Sequence, residues 1–228
     1  MRILFSIFTL LLLYTCSEEA TNTPTPLLVS GEIRYLQDQQ QLRGDVSFFR
    51  AAPNGAKVIF RPPAGAVAFM GSSMKAVELN ESQRWRATMK AAFPEQLRFT
   101  FPTTEEEEER VTLPLQLSPP LVDSLPAIMD KKKNIRVAVG TQPLAENESI
   151  IVFFEPEDRQ QAPRRIIVAG PTLNNQISLP ATAMKDVAPG KHQVYLIKQQ
   201  IAKDTLVNAF TSIQLAYHSR TKGIEVRE

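Results

Sequence analysis

Leu97-Arg98-Phe99-Thr100-Phe101 and, after a charged break, Val111-Thr112-Leu113-Pro114-Leu115-Gln116-Leu117 decide the fold class. In both stretches apolar and polar residues alternate. A period of two places Val111, Leu113, Leu115 and Leu117 on one face of a strand, whereas a helix would need apolar residues every three to four positions. Pro114 has no N–H to give to a ladder, so the second stretch must lie on a sheet edge or at a bulge. Between the two runs stand the acids Glu105 to Glu109, followed by Arg110. A calcium loop spaces its carboxylates so that oxygens converge on one ion, with Gly or Asn making the turn. An unbroken Glu run repels itself and reads as a solvated hairpin tip.

The same period recurs on either side. Gly31-Glu32-Ile33-Arg34-Tyr35-Leu36, Asp45-Val46-Ser47-Phe48-Phe49-Arg50 and Lys57-Val58-Ile59-Phe60 read as strands, and Pro53-Asn54-Gly55 as a turn able to take positive φ. Val67-Ala68-Phe69, Ala76-Val77-Glu78-Leu79 and Arg84-Trp85-Arg86-Ala87-Thr88 follow. Helical propensity competes at Met74 to Leu79 and at Gln83 to Ala92, and strands are the expectation there. About eight strands at spacings near ten residues, from Leu27 to Leu117, read as a β-sandwich. Ser118-Pro119-Pro120 is the best domain boundary. A short apolar segment from Asp123 to Met129 precedes a second series of strands: Ile135 to Val139, Ser149 to Glu155, Arg164 to Ala169, Gln176 to Leu179, His192 to Lys198 and Phe210 to Tyr217. The expected class is all-β, with one sandwich over residues 27–118, a second over 121–219 and a loose tail over 220–228.

Val187-Ala188-Pro189-Gly190-Lys191-His192-Gln193-Val194-Tyr195-Leu196 resembles the corner that leads into a late strand of fibronectin type III and related immunoglobulin-like domains. Those read Leu-x-Pro-Gly-x-x-Tyr-x-Val; here Val187 fills the apolar place, and His192 or Tyr195 has to stand in for the aromatic. The resemblance implies two tandem immunoglobulin-like sandwiches and no activity.

The chain opens with Met1-Arg2, an apolar run from Ile3 to Tyr14, and Thr15-Cys16-Ser17-Glu18-Glu19. The run is too short to span a bilayer as a helix, which takes roughly 20 residues, and suits a secretory signal. Leu13-Tyr14-Thr15-Cys16 resembles the lipobox of bacterial lipoproteins, in the looser form of Bacteroidetes. The resemblance implies a signal peptide over residues 1–15 and lipid on Cys16. Ser17, Glu18 and Glu19 resemble the acidic signal that sends such lipoproteins to the outer face of the outer membrane. Cys16 is the only cysteine, so no internal disulfide can form, and two or more acyl chains on it would make a stable anchor. Ala20 to Pro26, with small polar residues and two prolines, reads as an extended tether. Asp123-Ser124-Leu125 and Asp204-Thr205-Leu206 resemble the short sites at which Bacteroidetes proteins are O-glycosylated, which makes Ser124 and Thr205 candidate glycan acceptors.

A net charge of +2 gives no case for nucleic acid. One cysteine and two histidines exclude Cys-rich zinc sites. No Gly-rich phosphate loop or Gly-x-Ser-x-Gly is present, and no cofactor or metal is expected. His192 and His218 read as half-buried or surface groups. Trp85 reads as core, with Arg84 and Arg86 on the opposite face. Lys131 to Lys133 and Arg164-Arg165 read as solvated turns and strand ends. The preferred expectation is a non-enzymatic lipoprotein of the outer membrane, at the cell surface or on the periplasmic face, that contacts an envelope or surface protein. A carbohydrate- or peptidoglycan-binding module is the alternative; it predicts several aromatics coplanar on one exposed face, and burial of Trp85, Tyr35, Tyr195 and Tyr217 would count against it. A hydrolase would need two carboxylates or a Ser/His pair converging in a cleft.

Overall fold

A computed structural model of the chain describes residues 25–52, 55–79, 82–104, 110–206 and 208–228. Cys16, Ser17, Glu18, Glu19, most of the tether and Glu105 to Glu109 lie outside the described residues. The strands are β1 (Leu27–Leu36), β2 (Gln41–Ala51), β3 (Lys57–Ile59), β4 (Ala68–Phe69), β5 (Ser72–Ser73), β6 (Lys75–Leu79), β7 (Ser82–Lys90), β8 (Leu97–Pro102), β9 (Arg110–Leu115), β10 (Ile128–Asp130), β11 (Ile135–Ala138), β12 (Glu148–Pro156), β13 (Arg164–Ala169), β14 (Gln176–Leu179), β15 (Gly190–Leu206), β16 (Ala209–His218) and β17 (Lys222–Arg227). Among the described residues one α-helical turn, α1 (Ala181–Met184), and two 3-10 turns, Gln37–Gln39 and Val122–Ser124, interrupt them. The protein is all-β with sandwich-like sheets, the class its alternating pattern implies.

The central element is β15, seventeen residues long. One of its edges pairs with β17 over Gly190–Val194 and then with β16 over Ile197–Leu206. The other edge pairs with β12 over His192–Gln200. Strand β16 runs parallel to β1, which pairs in turn with β2, and the order β10-β17-β15-β16-β1-β2-β7-β6 gives one eleven-stranded sheet with β12, β13 and β3 attached. Two small sheets, β5-β4-β8-β9 and β11-β14, make the second layer. Edge strand β9 carries Pro114 and, among the described strands, pairs only with β8, so a missing N–H on its outer edge costs no ladder bond.

Side-chain parity along β15 locates the cores. Val194 and Leu196 belong to a cluster with Val137, Val152, Phe154 and Leu179, while Ala202 and Leu206 pack on a cluster built from Val29, Phe48, Phe99, Leu113 and Ile213. All four even-numbered β15 residues point to one side of the strand. Both cores therefore lie on the same side of the long sheet, each covered by its own small sheet. Lys198 and Gln200, also even-numbered, fall in the gap between them.

This corrects the expected domain limits. Ala209, Ile213, Leu215 and Tyr217 pack in the first core although they follow the second series of strands. The hairpin of β15 and β16 crosses from one core to the other. The tail expected to be loose over 220–228 holds β17, whose Ile224 and Val226 are buried in the second core. Pairing with β15 and β10 supplies its backbone partners.

Candidate functional site: the cleft and the open face of the long sheet

The gap between the cores is a cleft of about 610 Å³ whose walls include Phe93, Leu117, Pro119, Gln142 and Pro143. At its floor Lys198 is 1% exposed. Its Nζ donates to Ser118 Oγ at 2.7 Å and pairs with Glu148 Oε1 at 3.2 Å. The second Glu148 oxygen accepts the Ala145 N–H at 3.0 Å. A serine, a lysine and a carboxylate thus converge, and sequence reading missed all three. The arrangement ties the Ser118-Pro119-Pro120 linker to β12 and β15.

The opposite side of the long sheet carries neither small sheet. An antiparallel sheet with one face in water normally shows polar residues there. Around the second core it does not. Ile151 stands opposite both Ile167 and Ile197, and Phe153 opposite Tyr195, all on the outward parity. The Phe153 and Tyr195 rings stack with centroids 4.9 Å apart and planes 25° from parallel. Ile167 is 54% exposed on β13, which pairs only with β12 among the described strands and leaves its other edge open. Burial, with the Glu155 carboxylate adding to it, pushes the Tyr195 phenol above its ordinary value. The patch continues through Ile197 to His218 and Leu36. Burial and the Arg34 guanidinium hold His218 below the ordinary histidine value, and Glu32 opposes them.

The residues weighed as candidate groups are dispersed. His192 is buried in the second core, where its ring meets Phe154 edge-on, and its Nε2–H donates to Ala188 O at 2.8 Å. This bond back to the preceding corner is what a tyrosine makes in immunoglobulin-like sandwiches, so His192 and not Tyr195 takes the aromatic's inward place. His218 lies on the opposite face of the sheet, so the two imidazoles do not converge. Trp85 is 3% exposed in the first core, and Arg84 and Arg86 point outward as alternation implies. Tyr35 and Tyr217 are buried as well. Lys131 Nζ donates to Val187 O, and Lys133 pairs with Asp130, both around one turn. Ser124 is exposed in a short turn, but its hydroxyl accepts the Ala138 N–H at 3.0 Å and lies 2.7 Å from Leu121 O. Thr205 is exposed near the end of β15. Among the described residues no three His, Cys, Asp or Glu side chains gather as a metal site requires, and no helix is long and apolar enough to cross a membrane.

No protein-family model matches the chain, and no curated protein does. Among solved structures it is similar to the chicken CNTN1 FN1-FN3 domains at 14% identity, covering 89% of this chain and 67% of that one, with a TM-score of 0.27. Agreement at that level carries no argument about this chain. The fold class rests on its own sheets and cores.

Proposed function

We propose that the protein is a membrane-anchored bacterial lipoprotein that serves as a non-enzymatic interaction or accessory module at the cell envelope. Lipid on Cys16 holds it to the outer membrane, and Ser17, Glu18 and Glu19 direct it to the cell surface. The observation that carries the contact role is the apolar outward face in which exposed Ile167 and half-buried Phe153, Tyr195 and Ile197 surround buried Ile151. Apolar residues at outward positions, rimmed by Arg165, Gln193 and Gln199, are the usual composition of a protein contact surface. The stacked pair suits a protein better than a sugar. Cross-strand neighbours stacked face to face present ring edges to solvent, whereas a sugar platform presents ring faces. Thr205 and, with more disruption, Ser124 are the proposed O-glycan acceptors.

The test places a photo-crosslinking residue at Ile167 and, as a control on the other layer, at Arg136. Whole cells carrying the Cys16 form should give a discrete protein adduct from position 167 and none from 136. Adducts from both positions, or from neither, would sink the contact role. Intact mass of the membrane-extracted protein should show loss of residues 1–15 and added acyl chains, absent in Cys16→Ala. An unmodified Cys16 would sink the anchor.

A further inference from the structure

The open face changes character beside the first core. There Glu32, Arg34, Arg43, Asp45, Arg84 and Arg86, with Thr88, line a groove of about 490 Å³. Strand register sets their order. Arg34 lies directly opposite Arg43, and Arg43 opposite Thr88; one row further on, Glu32 lies opposite Asp45 and Asp45 opposite Arg86. Like charges directly opposite across two strands destabilise a sheet. The acidic pair is compensated. Arg34 grips Glu32 through both carboxylate oxygens at 2.7 Å, and Arg86 binds Asp45 Oδ2 at 2.7 and 3.0 Å. Arg84 stands 3.9 Å from Asp45. The basic pair is compensated on one side only, since Arg34 is held by Glu32. Among the described residues Arg43 donates to the neutral Gln41 amide oxygen, at 2.6 Å. The groove therefore holds more guanidinium than carboxylate, and the least compensated are Arg43 and Arg84.

We infer that this groove binds a carboxylate-bearing oligosaccharide, with a uronate carboxylate on Arg43 and sugar hydroxyls on Asp45 and Glu32. Guanidinium matches a planar carboxylate bidentately. The two acids in the floor repel a polymer of dense sulfates or phosphates, yet they are good acceptors for hydroxyls. An acidic peptide fits less well. Strands β1, β2 and β7 are paired on both edges, so no backbone is open for strand addition, and no aliphatic side chain lines the groove to anchor one. The groove adjoins the apolar patch but shares no lining residue with it, so either can fail without the other.

The test is titration calorimetry on the detergent-extracted full chain with oligogalacturonate, neutral malto-oligosaccharide, heparin and poly-L-glutamate. Oligogalacturonate should bind in a salt-dependent manner, the neutral sugar should be silent, and Arg43→Gln should weaken binding about tenfold at an unchanged melting temperature. Glu32→Gln with Asp45→Asn should let heparin bind as well as the uronate. Four results would overturn the assignment. They are no binding of oligogalacturonate, binding that Arg43→Gln leaves unchanged, heparin binding the unaltered chain as tightly as the uronate, and poly-L-glutamate doing so.

Discussion

Lys198 is the residue on which the molecule's interior chemistry turns. Removing an ammonium from water costs several kcal/mol, and a partner at good geometry offsets this. Glu148 and Ser118 provide that geometry at 3.2 and 2.7 Å. Removing one partner should therefore be costly, because it strands the other. Lys198→Met and Glu148→Gln are each expected to lose about 3–5 kcal/mol in denaturant unfolding. The double variant should lose clearly less than their sum, since neither charge is then left alone. Additive losses would show that the pair is not a coupled unit. His218 makes a second prediction at this scale. Its proton is held more weakly in the folded chain than at the ordinary value of 6.5, so the unfolded chain binds more protons as pH falls past that value. Stability is lost on acidification through this window. His218→Gln should remove that part of the loss, read as a smaller fall in denaturation midpoint between about pH 7.5 and about pH 5. An unchanged fall would place the acid sensitivity elsewhere.

Short strands such as β8 were legible because they have one buried face. Phe99 and Phe101 point into the first core and Arg98 does not, so alternation survives in the sequence. The long strand was legible only to Lys198, and the reason is physical. Its inward positions between the two cores are Lys198 and Gln200, at the cleft floor where polar groups are tolerated. The apolar alternation therefore breaks in the middle of a continuous strand. On the other face Tyr195 and Ile197 are apolar where water would favour polarity. The contact patch thus reads in sequence as excess hydrophobicity, with no side assigned to it. Tail strand β17 was missed because Ile224 and Val226 alternate over too few residues to stand out. Its role is still measurable. Ile224 is buried against the second core and Lys222 Nζ donates to Asp123 O at 3.0 Å. Ile224→Ala should cost about 2–5 kcal/mol in chemical denaturation, and deletion of residues 222–228 should cost more. A stable truncated chain with an unchanged midpoint would return the segment to the status of a tail.

One sheet with two cores on the same side differs from two modules on a linker. In tandem modules each core owns its strands and can melt alone. Here β1 pairs with β16 over Leu27–Leu36 and Ala209–His218, so the first core closes only when nearly the whole chain has been laid down. Such parallel, distant pairing carries no local signal, and two sandwiches in series is what the sequence alone suggests. It also sets the cooperativity. Strand β15 passes rigidly from one core to the other, and unpairing it at either end exposes backbone that the other core needs. The full chain should therefore unfold in a single calorimetric transition whose van't Hoff and calorimetric enthalpies agree, and refold slowly for its size because of its non-local contacts. Residues 27–118 alone should not fold. They lack β16 beside β1 and lose Ala209, Ile213, Leu215 and Tyr217 from the core. Adding a peptide of residues 197–218 in trans should restore protection of the β1 amides from hydrogen exchange. Two resolved transitions, or a cooperative melt from 27–118 by itself, would show that the crossing hairpin is an appendage and that the two cores are independent after all.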